Sequence, residues 1–177
     1  MSLYLGDDIV KIPQDYNIQN DPILDFIGTS KLVSYVNNKS SITYIPGSLF
    51  RNYSVCSIGN LTLPNCTTIG SYAFNTTDIT GITANAISQV SYGAFAYCTS
   101  LNYASLTNLS SSIYLGQSAF YNCSKLMTVY LNTSEMVSIY NSYTFMYTPL
   151  YRSSYTGSFG SIYVPASLVS TYQSASY

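Results

Sequence analysis

Apolar positions return along this chain in a fixed order, and phenylalanines mark the period. Phe50 closes YIPGSLF, Phe74 closes IGSYAF, Phe95 closes VSYGAF, Phe120 closes YLGQSAF and Phe145 closes IYNSYTF, at spacings of 24, 21, 25 and 25 residues. Before the last four stands a short alternating run (NLTLP, GITA, YASL, TVYL), and after each comes a polar turn and another apolar position. SIYVP at Ser161–Pro165 closes the series, and SYV at Ser34–Val36 opens it, 14 residues before Phe50 just as Leu131 lies 14 before Phe145. Alternation with period two marks strands with one buried face. It predicts Leu61, Leu63, Val129, Leu131, Ile162 and Val164 pointing inward, with Thr62, Tyr130 and Tyr163 pointing outward.

A unit of this length is too small to bury its own apolar face, so copies must stack and share one core. The pattern therefore predicts a β-rich solenoid. Gly70, Gly93 and Gly116, ahead of the Ala-Phe pairs, suit a tight turn. The small Ala73, Ala94 and Ala119 let coils approach, and each phenylalanine fills the space between them. Cys98 and Cys123 both follow their phenylalanine by three residues, which predicts equivalent places on adjacent coils.

The pattern L-x-x-I-x-L-P-x-x-x-x-I-G-x-x-A-F-x-x-C-x-x-L is clearest in LTLPNCTTIGSYAFNTTDI (Leu61–Ile79) and SSIYLGQSAFYNCSKL (Ser111–Leu126). It resembles the BspA-like (treponeme-type) leucine-rich repeat, and SIYVPASLVSTYQSASY is similar to the last coil and terminal helix of such arrays. The resemblance covers residues 31–177. It implies a leucine-rich-repeat array of about six coils with short strands and a terminal helix. The expected organisation is a non-repeating segment over 1–30, repeats over 31–165 and a capping helix or tail over 166–177. A helix start is expected at Asp21 with Pro22 in its first turn. Residues 1–30 are either the cap that a solenoid end needs or an attachment segment. Their S-L-Y-L-G-[DN] opening is similar to the starts of some tail-associated proteins of phages that infect gut bacteria.

Composition narrows the chemistry. Only 7% of the 177 residues are charged and none is His, whereas an ordinary domain is about a quarter charged. Ser, Thr and Asn carry the surface polarity instead. Without His there is no Ser-His-Asp or Cys-His pair and no imidazole ligand. A net charge of −1 from six basic residues lacks the cationic stripe that phosphates demand, so nucleic acid is not an expected partner. The N-terminal MSLYLGDDIVKIPQDY has neither the cationic nor the apolar region of a secretory signal, and no run is long enough to span a membrane. A soluble chain, or one exported by another route, is expected. Cys56, Cys66, Cys98 and Cys123 lack CxxC spacing and are expected to be buried free thiols. The Asn-x-Ser/Thr sequons follow from composition. Asp78 and Glu135 lie about two coils apart and are expected to be turn residues rather than a hydrolytic pair. Asp7, Asp8 and Asp15 do not have calcium-loop spacing. No catalytic residue, metal site or cofactor is expected.

What the sequence does offer is 20 tyrosines. The outward strand column runs Tyr35, Thr62, Thr83, Ser105, Tyr130, Tyr163, with Tyr103 two residues before Ser105. Tyr114, Tyr140, Tyr143, Tyr147, Tyr151 and Tyr155 crowd the C-terminal half. Tyrosine among Ser, Asn and Gly is the composition of adaptable binding surfaces, and aromatic faces also suit sugar rings. The competing explanation is that these rings only stack along the ladder. Tyr35, Tyr103, Tyr130 and Tyr163 are the expected ligand-binding residues.

The expected function is a non-enzymatic recognition module: a phage or prophage tail-type virion protein that meets a bacterial surface glycan or protein. Residues 1–30 would then join it to other virion proteins. A bacterial cell-surface adhesin of the same repeat family is the alternative, and a purely structural or decoration protein is a third. Phage appendages that resemble this chain are often trimers, which leaves a homo-oligomer such as a trimer open, although nothing in the sequence specifies a trimer interface.

Overall fold

The computed structural model describes residues 36–52, 58–151 and 156–175. Within them each coil contributes one strand to each of two parallel sheets. One sheet holds β1 (Tyr44–Ile45), β3 (Thr68–Ile69), β5 (Gln89–Val90), β7 (Tyr114–Leu115) and β9 (Ser138–Ile139). The other holds β2 (Asn60–Leu63), β4 (Gly81–Ala84), β6 (Tyr103–Asn108), β8 (Thr128–Thr133) and β10 (Ser161–Tyr163), in that spatial order. Neighbouring strands pair in the same register throughout, so equivalent residues form columns. Leu61, Ile82, Ala104, Val129 and Ile162 align in one column, and Thr62, Thr83, Ser105, Tyr130 and Tyr163 in the next. The β-rich solenoid expected from the periodicity is the fold observed, and a short helix, Val169–Ser174, follows the last strand.

The core is a set of stacked columns. Ile45, Ile69, Val90 and Leu115 from one sheet face Leu61, Ile82, Ala104 and Val129 from the other, and all are fully buried. Between them the phenylalanines stack: centroids of Phe50, Phe74, Phe95, Phe120 and Phe145 lie 5.0, 5.2, 5.3 and 5.5 Å apart in succession. Their planes differ by 10° or less. That spacing slightly exceeds the separation of hydrogen-bonded strands, so one ring per coil fills the interior.

The phenylalanine turn is a third hydrogen-bonded face. The N–H groups of Ser48, Phe50 and Asn52 donate to the carbonyls of Ser71, Ala73 and Asn75 on the next coil at 2.9, 2.7 and 2.8 Å, and later coils repeat the ladder. Left-handed backbone recurs two residues before and two after the ring, at Ser48 and Asn52, Tyr72 and Thr76, Gly93 and Tyr97, and Ser118 and Asn122. This refines the expectation for the glycines. Of these three, Gly93 alone has a left-handed φ, of 59°. Gly70 and Gly116 are glycine because coils approach closely there: a Cβ would lie 2.8 Å from the Pro46 carbonyl carbon, or 2.9 Å from that of Ser91.

Cys98 and Cys123 do occupy equivalent places. Each thiol donates to the phenylalanine carbonyl of the preceding coil, Phe74 O at 2.9 Å and Phe95 O at 3.0 Å. Thr77 and Thr148 fill the same position and donate to the phenylalanine of their own coil. Cys66, Cys98 and Cys123 are buried free thiols; Cys56 lies outside the described residues. Burial pushes the Cys66 thiol up to about 11 and outweighs its backbone hydrogen bonds.

Two ends depart from the expected pattern. Val36 is helical rather than part of an opening strand, although it is fully buried. The edge of β2 is met instead by two asparagines: Thr62 N–H donates to Asn37 Oδ1 at 2.8 Å, and Asn38 N–H donates to Thr62 O at 2.8 Å. At the other end Ile162, aligned with the core column, is 39% exposed. Among the described residues no later coil covers it. Residues 1–30, with the helix expected at Asp21, lie outside the described residues.

Candidate functional site

The outer face of the β2–β10 sheet carries the strongest cluster among the residues expected to bind. Parallel register brings Tyr130 on β8 beside Tyr163 on β10, and their rings stack at 5.0 Å and 20°. Both are about half exposed. β-Strands favour such neighbours because the rings cover each other while their hydroxyls stay in water. With Ser105, Thr107, Asn132 and Pro165 they line an open groove of about 340 Å³. No charged side chain enters it.

The other two expected residues are placed differently. Tyr103 stands in the neighbouring column, with Thr128 and Ser161, and its half-buried ring covers Gly81, where a Cβ would collide with it. It is held by packing and does not line the Tyr130–Tyr163 groove. Tyr35 lies outside the described residues.

A second tyrosine cluster, on the phenylalanine turns, was not picked out from the strand alternation. Tyr72 and Tyr92 meet edge to face at 5.0 Å, and Tyr121 meets both Tyr97 and Tyr147 in the same manner at 5.4 and 5.2 Å. Arg51 places its guanidinium 4.7 Å from the centre of the Tyr72 ring, a cation–π contact. The signal was present as offsets from the phenylalanines, since Tyr72 lies two before Phe74, and Tyr97 and Tyr147 two after Phe95 and Phe145. The Tyr92 hydroxyl is the largest cause that raises the Tyr72 pKa, with burial second. Burial, followed by neighbouring tyrosines, raises that of Tyr121. Both phenols are neutral near pH 7, so apart from Arg51 this cluster offers rings and hydroxyls rather than charge.

Among the described residues, the two carboxylates Asp78 and Glu135 are not brought together. Asp78 precedes β4 and accepts the Ile58 N–H at 3.1 Å, while Glu135 follows β8 and is exposed. They sit at opposite ends of the strands of one sheet. Among the described residues no group of three or more His, Cys, Asp or Glu is arranged to hold a metal, and no helix is long and apolar enough to cross a membrane.

Comparison with known proteins agrees with this architecture. The family profile described as the BspA type leucine rich repeat region matches residues 25–102 and 43–167, in six copies. No curated protein and no solved structure matches the chain significantly.

Proposed function

We infer that this chain, which belongs to the BspA type leucine-rich repeat family, is a non-catalytic adhesion and recognition module, serving as a tail-type protein of a phage or prophage virion. A solenoid of this kind holds its outward residues in fixed rows, and that rigidity reduces the ordering entropy that binding would otherwise cost. The observation that carries the proposal is the uncharged groove in which Tyr130 stacks on Tyr163 beside Ser105, Thr107 and Asn132. Rigid rings next to small hydrogen-bonding side chains suit a bacterial surface glycan or protein. The tail assignment is supported by the Ser2–Asp7 opening and its likeness to tail-associated proteins. In this proposal residues 1–30 attach the solenoid to other virion proteins.

The repeat family equally supports a cell-surface adhesin that binds host matrix or other cells. Mass spectrometry of purified particles and of cell-wall fractions separates the two. The chain is expected in particles, and its loss from them after deletion of residues 1–30 would identify the anchor. Recovery from cell walls alone would reject the virion assignment and leave the adhesin.

A further inference from the structure

We propose a second ligand site on the phenylalanine-turn face: the cleft between Tyr72, Tyr92, Tyr97 and Tyr121 takes the ring of a neutral sugar. The cleft measures about 320 Å³ and is also lined by Gly93 and Ser118. That is near the lower end of ligand pockets, roughly 300–1,000 Å³, and suits one or two sugar rings. It lies on a different face from the Tyr130–Tyr163 groove and shares no lining residue with it.

Three observations converge on that ligand. The tyrosines meet edge to face, Tyr72 with Tyr92 at 86° and Tyr97 with Tyr121 at 62°. Such a pair leaves the face of one ring beside the edge of the next, and Tyr92 and Tyr97 are both more than two-fifths exposed. A sugar ring has a C–H-rich face that lies on an aromatic ring and a rim of hydroxyls that both donate and accept. Tyrosine and serine hydroxyls do the same.

The backbone gives the second observation. Tyr72 and Tyr97 have left-handed φ of 59° and 63°, which bulky residues rarely adopt. At the matching places other coils carry Ser48, Gly93 and Ser118, or Asn52, Thr76, Asn122 and, outside the cleft, Tyr147. Glycine and asparagine tolerate that conformation far better. Aromatic rings are therefore held here against local preference, a pattern that gathers at binding sites. Gly93 adds to it, because the Tyr72 ring lies where a Cβ would sit, with atoms at 2.9 Å.

The third is charge. No ionisable group other than the phenols lines the cleft. Arg51 touches Tyr72 but is not part of the lining. An anionic sugar would find no counter-charge inside, whereas a neutral one is fully matched.

The test uses the full chain and NMR of its tyrosine rings. Methyl glucoside, methyl galactoside and N-acetylglucosamine are the neutral probes; glucuronate and N-acetylneuraminate are the acidic ones. At least one neutral probe is expected to shift Tyr97 and Tyr121 at millimolar concentration, independently of salt. Tyr97→Asn keeps the backbone that Asn52 and Asn122 already adopt, and it should weaken that binding by about tenfold or more. The Glu135→Gln variant, at an exposed turn residue that lines neither cleft, should bind the probe unchanged. Tyr92→Ser lies outside the left-handed positions and must show the same loss if Tyr97→Asn melts at a lower temperature. Silence from every neutral probe, equal binding by the Tyr97→Asn and Tyr92→Ser variants, or salt-dependent preference for the acidic probes would overturn the proposal.

Discussion

The stacked phenylalanines make a graded prediction about stability. Phe95 is fully buried and has a ring on each side, at 5.2 Å (Phe74) and 5.3 Å (Phe120). Phe145, at the last coil, has one neighbour at 5.5 Å and is 7% exposed. Truncating a buried Phe to Ala costs about 3–5 kcal/mol through lost transfer energy and the cavity left behind. Each aromatic pair adds about 0.5–1.5 kcal/mol beyond area. Phe95→Ala, with two ring pairs, is therefore expected to cost about 4–8 kcal/mol, and Phe145→Ala, with one, about 0.5–1.5 kcal/mol less. Against a total stability of about 5–15 kcal/mol, the central variant should sit near the edge of folding. Because a solenoid is stabilised by nearest-neighbour interfaces, Phe95→Ala weakens two of them. Its urea transition, followed by circular dichroism, should be both earlier and broader, whereas Phe145→Ala should only fray the end. A cost for Phe95→Ala below about 2 kcal/mol, or equal to that of Phe145→Ala, would refute the continuous ring column.

Two further outcomes follow from close packing and burial. Gly70→Ala places a Cβ against the backbone of Pro46 and Gly47, where no flexible side chain can move aside, and should cost about 1–3 kcal/mol in the same urea assay. Stability should also depend on alkaline pH through Cys66, whose thiol is raised by burial from 9.0 to about 11. The unfolded chain loses that proton first, so the contribution is complete below pH 9 and is lost as pH rises towards 11. The total is about 2–3 kcal/mol, and Cys66→Val should flatten that part of the profile measured by denaturation at stepped pH. An unchanged slope in the variant would show that Cys66 is not its source.

The fold was legible because a parallel solenoid converts sequence period directly into columns. Leu61, Leu63, Val129 and Leu131 point inward as alternation requires, and Thr62, Tyr130 and Tyr163 lie in one outward row. Alternation reports only which face a residue takes, however, and says nothing about what lies on the next coil. Hence Ile162 follows the pattern yet is exposed, because β10 is the edge strand of its sheet among the described residues. The start of the array was misjudged at Val36 for a related reason: side-chain and backbone groups of Asn37 and Asn38 meet the edge of β2 and replace a strand there. At the candidate sites, register explains the pairing of Tyr130 with Tyr163 and the separation of Tyr103. The Tyr72–Tyr121 cleft was hidden because it depends on the turn ladder, in which the residue two before one phenylalanine donates to the residue three before the next. Gly70 and Gly116 show the same limit, since their role is close approach between coils rather than a left-handed turn.

The central claim, that the solenoid recognises a bacterial surface through the Tyr130–Tyr163 groove, is tested most directly by co-sedimentation. Fluorescently labelled full chain is mixed with washed bacterial envelopes from candidate hosts, and wild type is compared with the Tyr130→Ala/Tyr163→Ala variant at matched circular dichroism. The account predicts saturable pelleting of the wild type on at least one envelope, and about tenfold weaker pelleting of the variant. Equal pelleting of the two proteins, or none by either on every envelope, would contradict it.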